Sequence, residues 1–152
     1  MTMNAHELMD KVSNEHQKVI DLSERLREKV SMAPRVNRAE WLQDVRTEYE
    51  HLRAHLIKHM ALEEQDGFMV SVAEQRPALT REIERLAHEH IEITKLLGLI
   101  QRELNEVTEK DQLLLLDCCR RIQALLQYVE HHERDENFLV LSTFTTDIGT
   151  KD

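Results

Sequence analysis

The stretch Tyr128–Leu139, Y-V-E-H-H-E-R-D-E-N-F-L, continues a helical stripe and then interrupts it. Upstream, Leu115, Cys118, Ile122, Leu125 and Val129 recur in alternating steps of three and four, the spacing of the buried edge of a helix in a bundle. The next two positions on that stripe are His132 and Glu136. Burying a histidine and a carboxylate where two more hydrophobes belong costs several kcal/mol unless other helices supply partners.

Working outward, three more stripes carry the same kind of interruption. A first helix is predicted from Ala5 to about Met32, its stripe running Met9, Val12, His16, Val19, Ser23, Leu26, Val30, with Pro34 closing it. Asn37-Arg38-Ala39-Glu40 has the spacing of a capping box and predicts a second helix over 38–65, with stripe Leu42, Val45, Tyr49, Leu52, Leu56, His59, Glu63. After a break at Asp66-Gly67, the short apolar segment Phe68, Met69, Val70, Val72 is expected to pack across the open end of the bundle. Pro77 reads as the first-turn proline of a third helix over 77–108, with stripe Leu79, Ile83, Leu86, His90, Ile93, Leu97, Ile100, Leu104, Val107. Asp111 is the expected N-cap of a fourth helix over 112–141. The polar tail 142–152, which contains Gly149, is expected to fray.

Length and composition fit this pattern. The 152 residues suit one domain spanning 1–152 with a core of its own, and scarce Gly and Pro favour helices throughout. Four helices joined by short connections predict an all-α, up-down-up-down antiparallel four-helix bundle. A net charge of −9, with basic residues alternating with acids, argues against a nucleic-acid surface. No aliphatic run exceeds Leu113–Leu116, so no membrane span is expected, and the N-terminus lacks the basic start and apolar core of a secretion signal. The expectation is a cytoplasmic protein. Cys118 and Cys119 are adjacent, which forbids an ordinary bridge between them and suits a reducing compartment; Cys118 reads as a small core residue, with a redox pair as the alternative.

An internal repeat underlies the bundle. Glu15-His16 recurs as Glu89-His90 after 74 residues, and His59-x-x-x-Glu63 as His132-x-x-x-Glu136 after 73. Each half is a helical hairpin with one histidine on its first helix and a His-Glu pair on its second. Of nine histidines, His16, His59, His90 and His132 fall on the stripes; His6, His51, His55, His88 and His131 fall beside them or away. A lone stripe histidine is ordinarily a hydrogen-bonded core residue. One per helix, at a common level, is a different matter, because four imidazoles and two carboxylates in a dry core need a compensating charge. Nitrogen and oxygen donors suit a metal, and Glu63 and Glu136, with two oxygens each, can each bridge two ions. Such a dinuclear centre keeps room for a solvent-derived bridge and an open position on each ion. The ferritin-like alternative needs paired Glu-x-x-His motifs, of which only Glu48 with His51 has the spacing, off the stripe. The His-Glu-x-x-His motif of zinc hydrolases does not occur.

This pattern resembles the hemerythrin-like, or HHE cation-binding, family over roughly Ala5 to Leu141, through His16, His59 with Glu63, His90, and His132 with Glu136. The resemblance implies a four-helix bundle holding two non-haem iron ions with an oxo, hydroxo or water bridge. It further implies that His16 and His59 hold one iron, His90 and His132 the other, with both glutamates bridging. The oxygen carriers of that family have a fifth histidine, four residues from another on the third helix; here the positions four away from His90 are Leu86 and Thr94. The set is more similar to the family's iron–sulfur-cluster repair and iron- or oxygen-sensing branches. The repair proteins carry an additional cysteine-bearing N-terminal domain, which these residues do not contain.

Among the flanking groups, His55, His88 and His131 read as helix-border or solvent residues. His55 is the best-placed extra ligand, and His131 the competitor of His132. Glu64 and Glu133 read as surface charges. The function that follows is binding, sensing or reduction of a small oxidant (dioxygen, hydrogen peroxide or nitric oxide), served by an unknown redox partner. The alternatives are iron handling or donation, including iron–sulfur cluster repair, without oxidant chemistry, and a purely structural bundle that binds a partner through its charged faces.

Overall fold

The computed structural model describes residues 4–65 and 67–149. Four long helices form the bundle: α1 (Ala5–Ser31), α2 (Arg38–Gln65), α4 (Thr80–Glu106) and α5 (Gln112–Gly149). Between α2 and α4 lie the short helix α3 (Phe68–Gln75) and a 3-10 turn, Pro77–Leu79. The chain is all-α, with no strand among the described residues, and no helix there is long and apolar enough to cross a membrane.

The stripes are the core. Leu42 through Glu63 on the second helix and Leu115 through Glu136 on the last are buried at each position that the periodicity selects, as are His16, Val19, Ser23, Leu26 and Val30 on the first. The buried hydrophobes divide into two clusters. The larger spans Val19, Leu26, Tyr49, Leu97, Ile122 and their neighbours; the smaller gathers Leu8, Val12, Phe68, Leu86, Leu139 and Phe144. Along α1, α4 and α5 the stripe crosses from one cluster to the other through its polar residues: His16 lies between Val12 and Val19, His90 between Leu86 and Ile93, and His132 and Glu136 between Val129 and Leu139; on α2 the stripe ends at His59 and Glu63, where α3 takes over. A polar belt is thus sealed on both sides by hydrocarbon.

Side chains pin the end remote from α3. Trp41 donates to Lys29 O at 2.9 Å, Arg46 to Leu104 O and Val107 O at 2.9 and 2.6 Å, and the buried Tyr49 hydroxyl to Leu97 O at 2.6 Å. These bonds satisfy carbonyls of α1 and α4, including ones left without helical partners at their C-termini.

At the other end α3 closes the bundle, as its apolar sequence suggested, through buried Phe68, Met69 and Val72. Gly67 permits the tight turn that brings it there: a Cβ at this position would meet Glu63 Cα at 2.5 Å. The close approach also holds the last turn of α2, which carries Glu63.

Local details depart from the sequence reading. The second helix does begin at Arg38, but Asn37 has φ 55°, a left-handed conformation that asparagine tolerates, instead of the extended cap of a capping box. Pro77 opens the 3-10 turn, and the helix proper starts at Thr80. Asp111 O accepts the first helical bond, from Leu115 N, while its side chain reaches back to Thr108 N at 2.8 Å. The largest correction concerns the tail. The last helix does not stop at Leu141 but continues to Gly149, because Thr143 and Phe144 carry its buried face onto the α3 cluster. Asp66 and residues 150–152 of the expected tail lie outside the described residues.

Candidate metal centre

His16, His59, Glu63, His90, His132 and Glu136 converge in the polar belt, each 0–4 % exposed. Glu63 turns Oε2 toward His16 Nε2 (3.5 Å) and His59 Nε2 (3.3 Å), and Oε1 toward His90 Nε2 (3.3 Å). Glu136 mirrors it, with Oε1 3.2 Å from His16 Nε2 and Oε2 3.2 and 3.1 Å from Nε2 of His90 and His132. Each glutamate therefore faces both histidine pairs. His16 and His59 meet edge-on with ring centroids 5.1 Å apart, and His90 and His132 are 4.8 Å apart.

A seventh residue belongs to the centre. Glu133, expected at the surface, is 4 % exposed; it packs against His16 Nε2 and brings Oε1 to 3.8 Å from His59 Nε2. The physical reason is that α5 packs against both α1 and α4, so its buried face is wider than one stripe. Cys119, Leu126, Glu133 and Val140 repeat every seven residues as its second edge, and all are buried. That heptad, apolar at three of its four positions, is the signal that sequence reading overlooked.

The outer nitrogens of the rings are held from behind. His16 Nδ1 lies 2.7 Å from Asn137 Oδ1, and His132 Nδ1 lies 2.8 Å from Glu89 Oε1, whose other oxygen accepts from Arg85 Nη1 at 2.9 Å. Such partners keep the Nδ1 proton on the outside, so that Nε2, once its own proton is displaced, would offer its lone pair inward to a cation. His90 Nδ1 has the partly exposed Glu64 at 3.6 Å.

The other histidines stand apart. His55 stacks on His59 (centroids 6.2 Å, 3° between planes) with Nε2 3.5 Å from Glu15, and does not enter the cluster. His131 is exposed beside Asp135, and His88 is exposed beside Glu92. Neither residue four away from His90 provides a donor: Leu86 lies in the apolar cluster, and Thr94 donates to His90 O at 2.7 Å.

Electrostatics show what the belt lacks. Burial alone would lower the histidines, but facing carboxylates outweigh it: His16 is raised to about 12 by Glu133, Glu136 and Glu63, His59 to about 9 by Glu133 and Glu63, and His90 to about 10 by Glu136 and Glu63. Conversely, burial would raise Glu133 and Glu63, yet the histidines hold Glu133 down to about 2 and Glu63 well below the usual carboxylate range. Three carboxylates packed together thus draw positive charge. Still, Nε2 of His59 and His132, both oxygens of Glu63 and Oε1 of Glu136 are buried without a hydrogen bond, while His16 Nε2 and Glu133 Oε2 are in ion-pair contact with each other. Convergent, unpartnered donor atoms of this kind are what a cation satisfies. They sort into two sets, His16, His59, Glu133, Glu136 and Glu63, His90, His132, Glu136, with ligand atoms within 4.8 Å of one another in each.

The sequence model of the hemerythrin HHE cation binding domain matches residues 7–144. The chain belongs to the hemerythrin HHE family. No curated protein and no solved structure gives a significant match. Membership makes this a cation-binding hemerythrin-like bundle, and the two donor sets fit that role. Buried Cys118 and Cys119 lie elsewhere in the hemerythrin core, with thiols pushed up by burial, Cys118 to about 12, as inert core residues are.

Proposed function

We propose that this hemerythrin-like domain is a non-haem di-iron protein of the cytoplasm that binds, senses or reduces a small oxidant, namely dioxygen, hydrogen peroxide or nitric oxide. The observation that carries the reading is the pair of two-faced glutamates: Glu63 and Glu136 each present one oxygen to each histidine pair. A carboxylate facing two imidazole pairs at 3.1–3.5 Å suits two cations side by side better than one. His16 and His59, with Glu133, would hold one iron, and His90 and His132 the other. Iron is favoured over zinc or manganese by the family resemblance, and the mixed imidazole–carboxylate donor set is compatible with it. Bound there, a pair of irons supplies reversible one-electron chemistry and an affinity for small oxidants.

The chain's own contribution is to hold donors and exclude bulk water. Hydrocarbon on both sides of the belt limits access to small molecules, and a cavity of about 410 Å³ among α1, α2 and α3 reaches His59 and Glu63 from the surface. Free, buried thiols suit a reducing compartment. Anaerobic reduction of the iron-loaded protein followed by admission of oxygen tests the proposal. The expected result is bleaching and return of a near-ultraviolet charge-transfer band. Iron that stays bound with an unchanged spectrum opposes it, and rapid transfer of that iron to an apo acceptor supports iron donation instead.

A further inference from the structure

The two halves of the centre arise from one repeat and differ at one donor. His59, Glu63 and Glu64 recur 73 residues later as His132, Glu136 and Asn137. The correspondence holds in space. Glu64 Oε2 stands 3.6 Å from His90 Nδ1 and Asn137 Oδ1 2.7 Å from His16 Nδ1, so the residue after each two-faced glutamate stands behind the lone histidine of the other hairpin. In the same register Glu133 corresponds to Met60, and both are 4 % exposed. One half therefore has a carboxylate directed at its histidines. The matching position of the other half carries a thioether, a poor donor to a cation that favours oxygen and imidazole.

Donor counting turns this difference into chemistry. Glu63 and Glu136 each offer one oxygen to each half, and each half has two imidazoles, so a solvent-derived bridge makes five donors on either side. Iron among such ligands accepts about six. Glu133 supplies the sixth to the His16/His59 half, since its carboxylate is already directed at Nε2 of both histidines. The His90/His132 half remains one donor short.

On the di-iron reading above, we propose that the His90/His132 half takes up the exogenous ligand, and that Glu133 closes the other half against it. One free position in a buried belt suits a small monodentate anion or a diatomic molecule. Access does not decide between the halves, since a cleft of about 430 Å³ between α4 and α5 reaches His132, just as the α1–α2–α3 cavity reaches His59. The donor count decides.

Azide titration of the oxidised, iron-loaded protein, followed by its charge-transfer band with iron per chain measured on the same samples, tests the assignment. The native chain is expected to bind a single azide per iron pair. Glu133→Met makes the halves alike at similar volume and should admit a second azide. Met60→Glu should close the remaining position, keep the irons and abolish azide binding. The melting curve of each variant shows whether it folds, and either alone decides if the other does not. A Glu133→Met protein that holds two irons yet still takes a single azide overturns the assignment, as does a folded Met60→Glu protein that binds azide like the native chain. Native protein with fewer than two irons per chain overturns the di-iron reading and the assignment together; two irons with the wrong azide count overturn the assignment alone.

Discussion

Glu136 places Oε1 3.2 Å from Nε2 of His16 and Oε2 3.1 Å from Nε2 of His132, so one carboxylate, 0 % exposed, touches histidines of both hairpins. Removing it should uncouple the two donor sets. Glu136→Ala is expected to weaken metal retention by more than the roughly 10–100-fold that loss of an outer-sphere partner costs, and to prevent paired loading. Glu133→Ala should loosen one ion of the two. Metal content after dialysis against a chelator distinguishes these outcomes, and equal losses in the two variants would contradict the bridging role of Glu136.

Glu89 acts at one remove. Its Oε1 lies 2.8 Å from His132 Nδ1, and Arg85 holds the other oxygen. Glu89→Ala should lower affinity at the His132 half about 10–100-fold by freeing the ring to turn and making Nε2 less basic. The exposed Glu92, one turn on, is the control and should have no effect. Competition with a chromophoric chelator measures both.

Metal removal should cost stability, because the ligands converge only in the folded chain. At a free metal concentration of about 1,000 Kd, linkage gives about 4 kcal/mol per site. In a protein of this size that corresponds to a fall in Tm of roughly 8–16 °C per site. Calorimetry before and after chelation checks it; an unchanged Tm would mean that the donors are satisfied without a cation.

In the metal-free chain the same donors set a pH dependence. His16, His59 and His90 rise from 6.5 to about 12, 9 and 10, so their stabilisation is complete below pH 6.5 and is lost as pH climbs through those folded values. Glu133 falls from 4.5 to about 2, so its contribution is present above pH 4.5 and is lost as pH drops through about 2. The metal-free protein is therefore expected to melt highest between about pH 4.5 and 6.5, with Tm declining from there toward pH 10. Metal must displace those protons, so binding should strengthen over the same rise. A flat or rising Tm between pH 6.5 and 10 in chelated protein would contradict the charge pairing.

The extension of α5 can be tested at Phe144, 3 % exposed in the cluster that α3 completes. Phe144→Ala should destabilise by about 3–5 kcal/mol, as loss of a core aromatic does. A fraying tail would give almost nothing. Urea denaturation provides the number.

Particular residues show why some features could be read from the chain and others could not. His16, His59, His90 and His132 were legible because each broke a long apolar row, and the row's period fixed the face they occupy. Glu133 was not, since a helix packed on two neighbours buries two edges, and a glutamate beside a stripe histidine looks like a solvated charge until its heptad partners Cys119, Leu126 and Val140 are aligned with it. The tail failed for a related reason. Residues 142–149 have a polar composition, but the burial of Thr143 and Phe144 depends on where α3 lands, a tertiary contact that no local pattern encodes. Cap chemistry at Asn37 and Asp111 was right about where helices begin and wrong about how, because start positions follow the apolar period, whereas cap geometry follows the path of the incoming loop.

Metal stoichiometry of the untagged protein grown with iron, taken together with its electronic spectrum in both redox states, bears most directly on the central claim. About two irons per chain, with a near-ultraviolet band that disappears on reduction and returns on oxidation, is the expected result. Protein that carries no metal after such growth, yet melts at the same temperature as chelator-treated samples, would contradict it.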